Sequence, residues 1–443
     1  VPSLALLDDL VGAARRAGAD AADALLYNAA SVSLSVRLGQ TQTLERSESG
    51  DLGLRVLIGC RQAVVSSADR SPAALAALVD RAVAMARAVP ADPYCGLADP
   101  AQLATHWLDL DTFDPVEPSA DQLLARAGEA EAAALAVPGV TNSEGGDASW
   151  GASTVALVAS NGFSGAYSVT RHHVSAAVLA GSGTGMERDY DQCSTVYGSD
   201  QRQPASIGRC AGERAVQRLN PRKVPSRKVP VVFHPRVAGT LLGHLVGAIN
   251  GVAIARKTSF LMGQLGQPVF APGVTIIDDP FRPRGLRSRP FDGEGVATAT
   301  RLVVDGGRLT TWLLDLRSAR QLGLLPTGHA ARGTGGPPTP SPANFYLAPG
   351  TITPAALMAD IDQGLYVTEL LGSGVNGVTG DYSRGAAGFW IERGKLTGPV
   401  SEVTIAGNLK EMYRTLTPAD DLVFRYGIDA PTVLIESMTL AGV

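Results

Sequence analysis

Apolar and polar residues alternate along this chain with two periods, and each change of period marks an element. Leu4, Leu7, Val11 and Ala14 fall on one face of a helix that Gly18 ends. The period then drops to two. Val32, Leu34, Val36 and Leu38 alternate with Ser31, Ser33, Ser35 and Arg37, as in a strand with one wet face. "LGLRVLIGCRQAVVSSA" continues the strand pattern, and "SPAALAALVDRAVAMARAVP", with proline at both ends, returns to the helical one. Together they predict a helix–sheet–helix unit over residues 1–95.

A polar, proline-rich connector (Pro90 to Pro118) opens a second α+β unit of the same N-terminal region, residues 96–220. Ser119 and Gln122 have capping-box spacing at the head of "SADQLLARAGEAEAAALAVPG", and Pro138-Gly139 stop that helix. Strand patterning then runs through "STVALVASNGFSGAYSVTRHHVSAAVLAGSGTGMERDY", where Asn161-Gly162 is a hairpin signal and "GSGTG" a second reversal. The helix "PASIGRCAGERAVQRLN" closes the unit.

Residues 221–230, "PRKVPSRKVP", carry prolines among basic residues and read as a solvated linker. Beyond them, residues 231–443 are mostly strand-like, with tight hairpins at Asp305-Gly306-Gly307 and Glu392-Arg393-Gly394. The helical exceptions are "SARQLG", "PAALMADI" and the apolar stretch "AGTLLGHLVGAINGVA". The expected fold is α+β: N-terminal helix-plus-antiparallel-sheet units followed by a large β-rich C-terminal domain.

Composition narrows the function. The chain has 443 residues, 45% of them hydrophobic and 18% charged, as in a folded soluble protein of more than one domain. Its net charge of -4, with no basic block, lacks the footprint that direct nucleic-acid binding needs. Cys60, Cys95, Cys193 and Cys210 show no CxxC spacing, which points to a reducing compartment. Asp8 and Asp9 interrupt the N-terminal apolar run, so it reads as an amphipathic helix and not a signal sequence. No apolar run reaches the roughly 18 residues of a membrane span. The expected location is the cytoplasm.

The usual catalytic patterns are missing. A zinc hydrolase helix needs two histidines on one face and a glutamate beside the bound water. None of the six histidines is three to five residues from another. His172 and His173 are adjacent, so on a strand they face opposite ways. "GTGGPPTPS" has the glycines of a phosphate loop without its lysine, and GxSxG does not occur. Asp278-Asp279 and Asp360/Asp362 read as solvated carboxylates. What remains unusual is the glycine density of "LLGSGVNGVTGDYSRGAAGFW". With Asp381, Tyr382 and Arg384 interleaved, this segment is either a groove wall that pairs an extended peptide at a sheet edge or a long surface loop with a bend.

Several long stretches resemble one family. They are "TLERSESGDLGLRV", "NSEGGDASWGASTVALVASNGFSGAY", "GMERDYD", "RPFDGEGVATATRLVVDGGRLTTWLLDLRSARQLGL" and "NGVTGDYSRGAAGFWIERGKLTGPVSEVTIAGNLKEMYR". The resemblance is to the TldD/PmbA family, more closely its PmbA (TldE) branch, and runs over practically the whole chain. It implies that TldD subunits are metallopeptidases with an HExxxH zinc helix and a later cysteine ligand. PmbA-type subunits share the fold, lack those ligands and pair with TldD around a chamber that admits unfolded peptides. "Modulator of DNA gyrase" is an older label of the family.

Laid on that zinc helix, "LLGHLVGA" puts Gly243 and Ala248 where the two histidine ligands would be and His244 where the glutamate would be. No cysteine follows Cys210. The resemblance therefore implies a subunit with no cofactor of its own, zinc in a TldD partner, and peptide contact at Gly380, Asp381, Tyr382, Ser383 and Arg384. The expected partners are a TldD-type subunit or a second copy of the chain, and unfolded peptides, with neither nucleic acid nor membrane. Two alternatives stand beside it: a homodimeric peptidase with an unrecognised active site, and a non-proteolytic binding modulator of gyrase or another partner.

Overall fold

The computed structural model describes residues 2–442, which fold in the α+β class that the patterning implies. The N-terminal part contains α1 (Pro2–Arg16), β1 (Ala21–Arg37), β2 (Gln40–Ile58), β3 (Arg61–Ser67), α2 (Pro72–Ala88), α3 (Ala120–Leu135), β4 (Val140–Ala159), β5 (Ser164–Ala180), β6 (Glu187–Thr195) and α4 (Pro204–Gln217). Its six strands form one antiparallel sheet in the order β3-β2-β1-β4-β5-β6. The long β1 is central, paired with β2 along one side and with β4 along the other. A single sheet thus runs through residues 1–95 and 96–220.

Parity along β1 explains how the helices sit. Ala22, Ala24 and Leu26 pack with α1 and α2, whereas Val32, Leu34 and Val36 pack with α3 and α4. All six are even-numbered, so both helix pairs cover the same face of the sheet. Leu38 leaves the pattern: it is exposed, with φ +50° in the β1–β2 turn. The capping box at α3 forms, with the Ser119 hydroxyl accepting from the Gln122 amide at 3.2 Å and the Gln122 side chain accepting from the Ser119 amide at 2.9 Å. On the opposite sheet face, Leu25 and Leu157 meet Phe163 and Phe291, where the C-terminal part docks.

The C-terminal part opens with β7 (Arg227–Phe233), α5 (Pro235–Ala248), α6 (Gly251–Ala255), β8 (Ile276–Asp279), β9 (Arg301–Asp305), β10 (Arg308–Leu309) and α7 (Leu316–Leu322). It continues with β11 (Ala330–Ala331), β12 (Thr339–Pro340), β13 (Asn344–Leu347), α8 (Pro354–Met358), β14 (Gln363–Val375), β15 (Asp381–Glu392) and β16 (Lys395–Asn408). It ends with α9 (Leu409–Arg414), β17 (Leu416–Pro418), β18 (Ile428–Asp429) and β19 (Val433–Ala441). The stretch 221–230 therefore passes into sheet at Arg227.

The main C-terminal sheet runs β16-β15-β14-β7-β19-β17, and a further pairing of β16 with β19 closes five of these strands into a ring. A smaller sheet, β10-β9-β8-β13-β18, lies beside it. One core joins both: Val231, Leu365 and Ile405 of the barrel, Val304 and Phe345 of the small sheet, and the apolar face of α5 between them.

Candidate functional site

α5 is defined by its ends. His234 caps it, its Nδ1 accepting from the Arg236 amide at 3.0 Å, and Pro235 holds the first helical position, where its missing N–H costs nothing. Val237, Ala238, Leu241, Leu242, Leu245 and Ala248 are buried. The Tyr413 hydroxyl donates to the Leu241 carbonyl at 2.9 Å, fixing the helix against α9.

The other face of α5 is nearly bare. Gly243 and Gly247 are exposed, and a Cβ built on either meets nothing within 4 Å. His244, half-buried between them, turns toward β15. Its ring and that of Tyr382 are edge to face, with centroids 5.9 Å apart. Burial and the nearby Arg384 guanidinium lower the His244 pKa, so the imidazole is neutral at pH 7. Its Nε2 is buried without a hydrogen-bond partner among the described residues, as is the hydroxyl of Tyr382. Burial also raises the pKa of that phenol. The structure therefore brings His244 together with Tyr382 and Arg384, two regions that sequence reasoning singled out separately.

The remaining residues of the segment do other work. Gly380 has φ +86°, and a Cβ there would come within 3.4 Å of Phe260 and Asn408. Asp381 accepts from the Thr379 hydroxyl at 2.6 Å and the Asn408 amide at 3.1 Å, which shapes the β14–β15 turn. Ser383 is exposed on the face away from Tyr382 and Arg384. One expectation needs correction. The segment is not a sheet edge, because β15 is paired with β14 on one side and β16 on the other. Its main chain is consumed by the barrel, and a peptide can meet only its side chains. The loop carrying Phe260 and the exposed Met262 and Leu265 borders the same area, through Phe260 N–H donating to Gly377 O at 2.9 Å. Sequence reasoning passed over this loop, whose only signal is a set of apolar residues between glycines.

The zinc that the family implies does not fit here. Gly243 offers no donor, Ala248 is a buried methyl, and His244 alone supplies one nitrogen. Among the described residues, no group of three or more His, Cys, Asp or Glu is placed to hold a metal ion. Three of the other histidines face partners elsewhere. His172 Nε2 lies 3.1 Å from Asp114 and His173 Nδ1 lies 2.9 Å from the Ser194 hydroxyl, on opposite faces as their adjacency implies. His329 joins Asp278 at 3.1 Å and the Thr327 hydroxyl at 2.7 Å in the core. Asp279 accepts from the Phe281 amide and the Thr300 hydroxyl, both at 3.0 Å.

A helix-covered antiparallel sheet, joined to a barrel with a helix packed between it and a smaller sheet, defines the class structurally. Three domain signatures of one family match it in chain order: PmbA/TldA metallopeptidase domain 1 over residues 22–86, the central domain over 113–219 and the C-terminal domain over 226–442. The chain belongs to the PmbA/TldD metallopeptidase family. It is similar to metalloprotease PmbA of Escherichia coli O157:H7, 40% identical over 425 residues that span 96% of this chain and 92% of that protein. A metalloprotease TldD homolog of Haemophilus influenzae is 28% identical over 214 residues, 48% of this chain and 44% of that one. Among solved structures, a proposed modulator of DNA gyrase from Bacteroides thetaiotaomicron superposes with a TM-score of 0.91 at 28% identity, covering 99% of this chain and 98% of its own. TldE from Thermococcus kodakarensis shares the fold, with a TM-score of 0.85 at 19% identity over 99% and 100% of the two chains.

Proposed function

We propose that this chain is the PmbA/TldE-type subunit of a TldD/TldE-type peptidase, and that zinc and hydrolysis belong to a TldD-type partner. The feature that carries this reading is the chemistry of α5: laid on the zinc helix that the family resemblance implies, it has glycine, histidine and alanine, Gly243, His244 and Ala248, where the ligands and the glutamate would be. The similarity to PmbA over nearly the whole chain, against a match to the TldD homolog over about half of it, supports the same assignment.

In this reading the bare face of α5 is a wall of the peptide chamber. Without side chains at Gly243 and Gly247, an extended peptide can lie close to the helix. The half-buried His244 ring borders this groove, with Tyr382 buried behind it, and Arg384 attracts peptide carbonyls or acidic side chains. Their task is to position a strand and not to cleave it.

The test is reconstitution. An unfolded peptide is incubated with this chain alone, with a TldD-type subunit alone, and with both. Cleavage by the pair, abolished when the partner's HExxxH glutamate is replaced by glutamine, is the expected result. Cleavage by this chain alone would overturn the reading in favour of a homodimeric peptidase with another active site. Biological activity retained beside the inactivated partner would favour a non-proteolytic binding modulator.

A further inference from the structure

We infer that the cavity bounded by the connector segment 107–113 is a binding site for a guanidinium group carried on a flexible chain. The cavity has a volume of about 560 Å3, within the usual range of ligand sites. The aromatic residues Trp107, Phe113, Tyr167 and Tyr197 line it together with the carboxylates of Asp109 and Asp111. Among the described residues, no basic side chain lines it. No residue of α5 or β15 does either, so the inference is independent of the peptidase reading.

The connector is fixed as a wall by its own hydrogen bonds. Thr112 O accepts from the Thr170 amide at 2.9 Å, the Thr112 hydroxyl donates to Ser168 O at 2.8 Å, and Leu110 O accepts from the Arg284 amide at 2.9 Å. That placement leaves large apolar rings in the open. Trp107 rests on Phe291 and Phe163, with ring centroids 5.1 and 6.4 Å away, yet is 39% exposed. Phe113 is 42% exposed. Both rings line the cavity and both reach solvent, so a ligand can touch them.

The chain already holds one cation in this manner. The Arg284 guanidinium lies 3.7 Å from the Tyr197 ring centroid, while its Nε donates to Asp111 at 2.6 Å and its Nη1 to Asp200 at 3.0 Å. The Trp107 end has the same two ingredients, an aromatic face and a carboxylate, without the cation. Asp109 is exposed and joins no ion pair among the described residues; its Oδ1 accepts from the Asp111 amide at 2.9 Å. With two carboxylates and no cation in the lining, the cavity attracts positive charge and repels negative. Of the basic groups a guanidinium fits best, because it is planar, more weakly hydrated than an ammonium and stacks on aromatic faces, indole above all. A free guanidine compound and an arginine side chain of a peptide both present this chemistry.

Calorimetric titration of the full chain with butylguanidinium, N-acetyl-Gly-Arg-Gly amide and the citrulline counterpart of that peptide tests the site. The two cations are expected to bind, and the citrulline peptide, equal in shape but neutral, to bind about 10-fold more weakly or not at all. Tighter binding of the arginine peptide than of butylguanidinium identifies a peptide segment as the ligand, and equal or weaker binding a free guanidine. Asp109→Asn keeps the acceptor for the Asp111 amide but removes the charge, and is expected to weaken binding of the cations about 3-fold. Trp107→Leu keeps an apolar contact but loses the aromatic face, and is expected to weaken it about 10-fold. Because Trp107 also packs on Phe163 and Phe291, Phe113→Leu at the other exposed ring is measured beside it. The inference fails if neither cation binds at millimolar concentration, if the arginine and citrulline peptides bind alike, or if neither Asp109→Asn nor Phe113→Leu changes the affinity.

Discussion

Replacing Gly243 and Gly247 together by alanine should stabilise this protein while impairing its grip on peptide. Glycine inside a helix costs about 1 kcal/mol relative to alanine, because the unfolded chain gives up more backbone freedom. At both positions a Cβ meets nothing within 4 Å, so no clash offsets the gain. Gly243 lies well inside α5 and should contribute about 1 kcal/mol, and Gly247, near the frayed end, somewhat less. The pair is worth roughly 1.5 kcal/mol, a rise of about 3–6 °C in the melting temperature of a domain the size of residues 226–442.

The same helix supplies its own control. A Cβ on Gly239 would lie 2.9 Å from the Ile428 carbonyl oxygen, so Gly239→Ala should destabilise by about 1–3 kcal/mol. Differential scanning calorimetry of the purified variants reads both signs, and peptide binding to the reconstituted pair reads the functional cost of filling the groove. A lower melting temperature for the double variant, or equal effects at Gly239 and Gly243, would refute the claim that this face of α5 is open.

Three further outcomes follow. Tyr382→Phe removes a buried hydroxyl that has no partner among the described residues, so thermal unfolding should show no loss of stability, or a gain of up to about 1 kcal/mol. His234 is pushed down to about 4 from 6.5 by burial and then by Arg214 and Arg236. The unfolded chain takes up this proton first, so the stability is intact above pH 6.5 and is lost as pH falls toward 4. His234→Asn keeps the helix cap and should flatten that acid limb by up to about 3 kcal/mol in denaturant titrations. Gly208→Ala, where a Cβ would sit 1.8 Å from the Ala130 carbonyl, should force α4 off α3 and lower the melting temperature. No shift would mean the helices are less closely packed.

Local signals in the sequence carried most of the secondary structure. The alternation of Val32, Leu34 and Val36, the Ser119–Gln122 cap, and the Asn161-Gly162 and Arg393-Gly394 turns each depend on neighbours in the chain, and each forms. Polar strands were harder. Residues 40–49 of β2 are exposed, and β4 begins within "VTNSEGGDASWG", so neither shows an apolar period. Pairing between distant strands was not legible either. Nothing local says that Asp23 faces Ala159 and thereby unites the two N-terminal units, or that Thr404 faces Ala441 and closes the barrel.

The candidate site divides along the same line. His244 could be singled out because the pattern of the zinc helix it was laid on is contiguous in sequence. Its meeting with Tyr382, and the double pairing of β15, are tertiary facts.

The central claim is that the metal and the chemistry lie outside this chain. The most direct test is elemental analysis of the purified chain, desalted gently without chelator, beside the same measurement on its complex with a TldD-type subunit. Zinc well below one per chain alone and near one per pair in the complex is the predicted result. Near-stoichiometric zinc in the isolated chain would contradict the account and place a metal site among residues that the arrangement around α5 does not bring together.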